Sequence, residues 1–311
     1  MNFPFYFNSK NSLNLFGHKN NFNFLFNLYL ENNLPKVLML TGNKGEGKST
    51  LINHFLFSVF DSKNYNVEKN ILNDDSTILN QFKDNIFPNI VYVSGSDFKT
   101  VKVEDIRNLK TKILQSTILD KDRFIILDDI ELFNTNSLNA LLKIIEEPTK
   151  KNFFILINNK SKPLLETISS RALEIKIMLN ENQRNEIIEN LINTHKLDLL
   201  LDPKLSKLSP GNFVKFNYIC KEFDVSLSNN LIDNLSTLLN LYKKNKDILF
   251  INLAFFITDH YLSHLSKENI LKSNKIYEIK NYIFANLNKF LLYNLNQKAL
   301  LNSISAKINY E

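Results

Sequence analysis

Eight residues, Gly42-Asn43-Lys44-Gly45-Glu46-Gly47-Lys48-Ser49, constrain the fold of this chain more than any other stretch. Their spacing matches a phosphate-cradling P-loop. They lie between an apolar run, Val37-Leu38-Met39-Leu40, and a segment with Leu51, Ile52, Phe55, Leu56 and Val59 at helical spacing. Small residues in such a turn let backbone N–H groups point inward around phosphate oxygens, the helix N-terminus adds a favourable dipole, and Lys48 adds a point charge. Ser49 then stands where a hydroxyl reaches a magnesium ion. The whole chain has six glycines and three of them fall in this loop, so composition does not account for the match.

Short apolar runs alternate with helical patterns through the first part of the chain, the signature of a parallel sheet covered on both faces. Five strands are expected, at Val37 to Leu40, Ile90 to Val93, Phe124 to Leu127, Phe153 to Ile157 and Leu173 to Ile177. Several candidate functional residues lie just beyond their carboxyl ends, where ligands bind in such sheets. Asp61 to Pro88 is polar without a strong period and is expected to combine a helix with loop. From about Asn180 the strand signal ends and helical spacing takes over, with Ile187, Ile188, Leu191 and Ile192 on one face and Ser209-Pro210-Gly211 as punctuation. Ile276, Ile279, Ile283, Leu287, Phe290, Leu291 and Leu295 form a long apolar stripe, read as the core of an all-helical domain.

At 311 residues and 44% apolar content, the chain is long enough for two or three domains with a substantial core. A net charge of +6 admits contact with nucleic acid, but the lysines are dispersed. Lys99, Lys102 and Lys110 read as a solvated face. Cys220 is the single cysteine, which excludes an internal disulfide and a multi-cysteine zinc module and points to a reducing, intracellular setting. Beside Phe216, Tyr218 and Ile219 it reads as a buried, inert thiol. No apolar run approaches the roughly 20 residues of a membrane span, and Phe3 to Phe7 has no basic region before it. A cytoplasmic protein with no membrane partner is expected. Asn is used heavily throughout, so stretches such as Asn20, Asn21 and Asn23 are read as coding background.

Phe124-Ile125-Ile126-Leu127-Asp128-Asp129 is an apolar strand ending in carboxylates, which brings an acid to a magnesium ion bound by the P-loop hydroxyl. Asp128 is the metal-facing choice. Leu138, Leu141, Leu142 and Ile145 then stand at i, i+3, i+4 and i+7, predicting a helix that Pro148 terminates. The order of P-loop, Asp128-Asp129, Asn139-Ala140-Leu141-Leu142-Lys143 with Glu146-Glu147-Pro148, and Ile168-Ser169-Ser170-Arg171 resembles the AAA+ subunits of DNA polymerase clamp loaders. It covers roughly residues 15 to 215. Within these subunits the chain is most similar to the delta-prime type of bacterial DNA polymerase III.

The resemblance implies an α/β AAA+ P-loop domain with a parallel five-stranded sheet over residues 1–178, a small helical lid over 179–213 and an all-helical collar over 214–311. It implies a clamp-loader subunit that takes ATP and Mg2+, with Gly42, Gly45, Gly47, Lys48, Ser49 and Thr50 around the nucleotide and Ser49 and Asp128 at the metal. Arg171 stands in the family's Ser-Arg-Cys motif, with Ala172 in place of the cysteine, and is implied to act in trans on a neighbouring subunit's nucleotide. Implied partners are clamp-loader subunits of the gamma/tau and delta types, the sliding clamp and, through the complex, primed DNA.

Departures from the family's pattern bear on catalysis. Hydrolysing subunits carry Asp-Glu where this chain has Asp128-Asp129. Asp129 is one methylene shorter than the glutamate that orients water, and a misplacement of about 1 Å costs on the order of a hundredfold in rate. The second sensor often reads Pro-Gly-Arg, whereas Pro210-Gly211-Asn212 lacks the cation. Asn158 or Asn159 is the candidate first sensor. The expectation is a subunit that binds ATP and hydrolyses it poorly, Asp129 being an impaired catalytic residue. Two alternatives stand beside it: a gamma/tau-like motor ATPase, and a homo-oligomeric AAA+ ATPase that remodels DNA.

Overall fold

A computed structural model of the chain describes residues 3–95, 101, 103–114, 121–267 and 273–309. Lys99 and Lys102 lie outside the described residues, and Lys110 is exposed. The chain divides into two compact units, one of residues 3–197 with 208–214, the other of 198–207 with 215–311.

In the larger unit α1 (Lys19–Leu30) precedes β1 (Val37–Thr41), the P-loop and α2 (Lys48–Phe60). β2 (Tyr65–Asn66), β3 (Ile71–Leu72), α3 (Thr77–Lys83), β4 (Ile90–Ser94), α4 (Val103–Leu114) and β5 (Arg123–Asp128) follow. The unit continues through α5 (Thr135–Ile145), β6 (Asn152–Asn158), α6 (Glu166–Ser169), β7 (Leu173–Lys176) and α7 (Glu181–His195). All five expected strands form, and they pair in parallel in the order β4-β5-β6-β1-β7. The expectation of helix and loop over 61–88 needs one correction. The segment also holds the antiparallel pair β2–β3, whose two-residue strands are too short to show alternation.

β1, β5 and β6 are buried along their whole length, which is why they read as continuous apolar runs. Their side chains alternate between two cores. Leu38, Leu40, Phe124 and Ile126 pack with Phe22, Phe55 and Phe57 on one face, while Met39, Ile125 and Leu127 meet Ile106, Leu109, Leu138 and Leu141 on the other. Helix starts are fixed by side-chain caps: Ser76 accepts from Leu79 N, Asn134 from Ser137 N, and Asn180 forms a reciprocal capping box with Gln183.

The smaller unit is helical. It contains α8 (Pro203–Ser206), most of α9 (Pro210–Glu222), α10 (Leu231–Asn245), α11 (Leu249–Lys267), α12 (Ser273–Tyr293) and α13 (Gln297–Asn309). α10 packs against α11 and α13, and α12 against α11 and α13. The stripe of α12 is core, as expected: Ile279, Ile283 and Leu287 are fully buried, while Leu292 and Tyr293 at its end are exposed. Cys220 is buried and its thiol is pushed up to about 12 by desolvation, in line with an inert side chain. No described helix is long and apolar enough to cross a membrane.

Phe124 anchors the first core, fully buried with its ring against Phe55, Phe60 and Phe153 at 5.7, 5.8 and 5.3 Å. Phe124→Ala is expected to destabilise the larger unit by about 3–5 kcal/mol, and Phe124→Leu by less than half of that. Urea denaturation followed by circular dichroism checks the order; equal losses for the two variants would contradict a packing role.

Candidate functional site

The loop between β1 and α2 takes the P-loop shape because two of its residues adopt backbone angles that side chains disfavour. Gly45 and Gly47 have φ of +89° and +87°. A Cβ at Gly42 would lie 2.2 Å from the carbonyl oxygen of Ile177, so that position also excludes a side chain. Lys48, only 2% exposed, donates through Nζ to the carbonyls of Gly42 and Asn43, both at 2.7 Å. Burial lowers its pKa to about 8, opposed chiefly by Glu46 and then by Asp128, Glu131 and Asp129. Two residues that the sequence reading passed over brace the loop. The Glu46 carboxylate accepts from Asn43 N at 2.8 Å and from Asn43 Nδ2 at 3.1 Å, and buried His18 donates from Nε2 to Glu46 O at 2.6 Å.

β5 delivers the acids. Ser49 Oγ donates to Asp128 Oδ2 at 2.9 Å, bringing together the two residues expected at the metal. Both offer the hard oxygen ligands that magnesium prefers. Tyr92, on β4, donates to the same carboxylate oxygen, and the Asp128 backbone neighbour Asp129 N donates to Oδ1 at 2.8 Å. Asp128 is buried, and desolvation raises its pKa against the pull of the Tyr92 and Ser49 hydroxyls. Thr50 is half-buried on the first turn of α2.

Asp129 has a left-handed backbone, φ +50°, and is 4% exposed. Its carboxylate accepts from Asn159 Nδ2 at 2.7 Å and pairs with Lys44 Nζ of the P-loop at 3.3 Å. Of the two candidate sensors, Asn159 is the one whose carboxamide reaches the acids; Asn158 Oδ1 accepts from Lys160 N in a local turn. Glu131, which sequence reading missed, is buried and accepts from Asn159 N at 3.2 Å and Ser161 Oγ at 2.7 Å, fixing the turn that carries Asn159.

Arg171 follows α6 at the surface. Its guanidinium pairs with Glu146 at 2.7 Å and donates to Thr167 O at 2.9 Å. Glu146 is the C-cap residue of α5. Both partners are over a third exposed, so the pair contributes about 0–1 kcal/mol and is readily exchanged for another anion.

A parallel sheet in which β6 separates the P-loop strand from the acid-bearing strand, with Ser49 against Asp128, defines a P-loop fold of the AAA+ class. The family described as DNA polymerase III, delta subunit, matches residues 17–181, more than half of the chain, and the chain belongs to that family. Among curated relatives it is 24% identical over 252 residues to DNA polymerase III subunit gamma of Buchnera aphidicola subsp. Acyrthosiphon pisum, covering 78% of this chain and 64% of that protein. It is 26% identical over 178 residues to DNA polymerase III subunit delta' of Buchnera aphidicola subsp. Baizongia pistaciae, covering 54% of this chain and 53% of that one. The chain thus spans between half and two thirds of these relatives. Among solved structures, a DNA polymerase III gamma subunit-related protein of Thermotoga maritima superimposes with a TM-score of 0.48 at 16% identity, over 92% of this chain and 97% of that one.

The buried Lys48 leaves a pH signature. Its folded pKa, about 8, lies below the ordinary 10.5, so the protonated amine costs stability below about pH 8 and the cost is relieved as pH rises towards 10.5. Lys48→Met removes this titration. The stability of the wild type relative to that variant is expected to rise by about 3 kcal/mol between pH 8 and 10.5 in paired urea titrations. Parallel curves would show that Lys48 is not desolvated.

Proposed function

We propose that this chain is a clamp-loader subunit of a bacterial DNA polymerase III, of the delta-prime type, that helps load the sliding clamp onto primed DNA. In this reading it is cytoplasmic, with gamma/tau-type and delta-type subunits, the sliding clamp and, through the complex, primed DNA as partners. The P-loop residues Gly42, Gly45, Gly47, Lys48, Ser49 and Thr50 bind ATP, and Ser49 and Asp128 hold Mg2+, which supplies charge neutralisation on the phosphates. Residues 1–178 are the nucleotide-binding domain, 179–213 the lid and 214–311 the collar through which subunits join.

The observation that carries poor hydrolysis is the engagement of Asp129. A carboxylate that orients attacking water needs a free lone pair directed at that water. Asp129 is short, and its oxygens already face Lys44 and Asn159. Similarity to subunit gamma over 78% of the chain supports a second reading, a gamma/tau-like motor. The two readings separate in a rate measurement. Purified chain is expected to bind ATP with Mg2+ in a fluorescence titration, to lose binding in Lys48→Ala, and to turn ATP over very slowly. A robust ATPase abolished by Lys48→Ala would select the motor.

Arg171 is proposed to act in trans. A guanidinium stays charged and offers a planar fork to phosphate oxygens, and its exposed pair with Glu146 is weak enough to be exchanged for such an anion. In a reconstituted complex, Arg171→Ala is expected to leave assembly intact and to lower clamp-stimulated hydrolysis by up to roughly a thousandfold, with little rescue by Arg171→Lys. Unchanged hydrolysis in a correctly assembled variant complex would remove this role.

A further inference from the structure

A second segment grips the P-loop from outside. Ser209 Oγ donates to Lys44 O at 2.8 Å, and the N–H of Gly211 donates to Gly45 O at 2.9 Å. Arg184 of α7 donates through Nε to Leu208 O, tying the same segment to α7. The approach is backbone against backbone. A Cβ on Gly211 would sit 3.0 Å from Gly45 Cα, and a Cβ on Gly45 would fall 2.4 Å from Ser209 Oγ. Gly45 needs to be glycine for its left-handed φ alone, but Gly211 has no such requirement and lies in the first turn of α9, where glycine is unfavourable. The close contact accounts for it. Two of the chain's six glycines face each other here.

Phosphate is received by the backbone N–H groups of a P-loop, whereas Ser209 and Gly211 engage the carbonyls of Lys44 and Gly45. A grip on the carbonyls of Lys44 and Gly45 therefore leaves the phosphate side open. It also restrains two of the loop's peptide planes. At position 212, where related subunits often carry a cation that answers to nucleotide, this chain has Asn212, whose Nδ2 is 3.5 Å from Lys44 O. Each of these hydrogen bonds runs directly between protein groups.

We infer that Ser209 and Gly211 form a latch that holds the 208–212 segment on the P-loop independently of nucleotide, making them positioning residues for the loop. The inference rests on the nucleotide-binding reading only for its functional meaning; the latch itself is tested without ligand.

The experiment is hydrogen–deuterium exchange of the full chain, with and without Mg-ATP. Amides of 42–48 and 208–214 are expected to be protected together without nucleotide and to change less than about threefold on adding it. Gly211→Val, which forces the two backbones apart, is expected to lower protection of both segments by about tenfold or more while leaving β5 and β6 unchanged. Ser209→Ala, which keeps the packing and removes one hydrogen bond, is expected to lower it by about fivefold and serves where the valine variant does not fold. Unchanged protection of 42–48 in Ser209→Ala, or protection of 208–214 that appears only with ATP, would overturn the latch. If the wild type binds no ATP, the nucleotide reading fails, and the ligand-free comparison of the variants still decides the latch.

Discussion

The bonds from the Lys48 ammonium to the carbonyls of Gly42 and Asn43 close the turn on which the rest of the site depends. An ammonium at 2% exposure carries a large desolvation cost, which two carbonyl dipoles offset only in part. Nearby negative charge offsets a further part, and the acids around the loop are arranged accordingly. Glu46 comes from the loop itself, Asp128 and Asp129 from the end of β5, and Glu131 from the turn beyond it. β5 has to reach this point while β6 lies between it and β1, so the sheet order and the loop's charge balance are two aspects of one constraint. Gly42 N donating to Asn158 O joins the loop to the end of β6 as well.

That arrangement gives Asp129 a structural task. Its carboxylate holds Lys44, so the loop is tied to the sheet through a side-chain ion pair at one point and through Lys48 at another. A glutamate at position 129 would carry its oxygens one methylene further and change both the Lys44 pair and the Asn159 hydrogen bond. The acid at this position is therefore set by the geometry of the loop as well as by any chemistry on water, and the two demands pull on the same oxygens.

Local patterns made much of this legible in the sequence. β1, β5 and β6 are buried apolar runs, β4 is a half-buried edge with four apolar residues in a row, β7 is an edge with alternation, and the P-loop is a contiguous motif, so none of these needs long-range information. The partners that are far apart in sequence were not legible. Lys44 with Asp129, Arg171 with Glu146 and Ser209 with Lys44 join residues whose types are ordinary at their own positions; only the folded backbone brings them together. β2 and β3 escaped for a different reason, since two residues cannot display a period of two. Gly211 did carry a signal, because a glycine inside the first turn of a helix weakens it and asks for a packing reason.

Asparagine marks the limit of arguing from composition. Its abundance read as background, yet many individual residues do work that few other side chains perform. Asn134, Asn180 and Asn230 cap helices through their side-chain oxygens, and Asn32, Asn70, Asn85 and Asn294 occupy left-handed backbone positions. With only six glycines in the chain, most left-handed turns have to be made by other residues, and asparagine tolerates that region better than most. A coding preference for asparagine and a scarcity of glycine are thus compatible with a well-formed fold. At all six glycines a turn or a close approach crowds out a substitute, and four of them, at positions 42, 45, 47 and 211, lie in or against the P-loop. That four of six converge on one loop makes this loop the part of the chain least able to accept the substitution asparagine provides elsewhere.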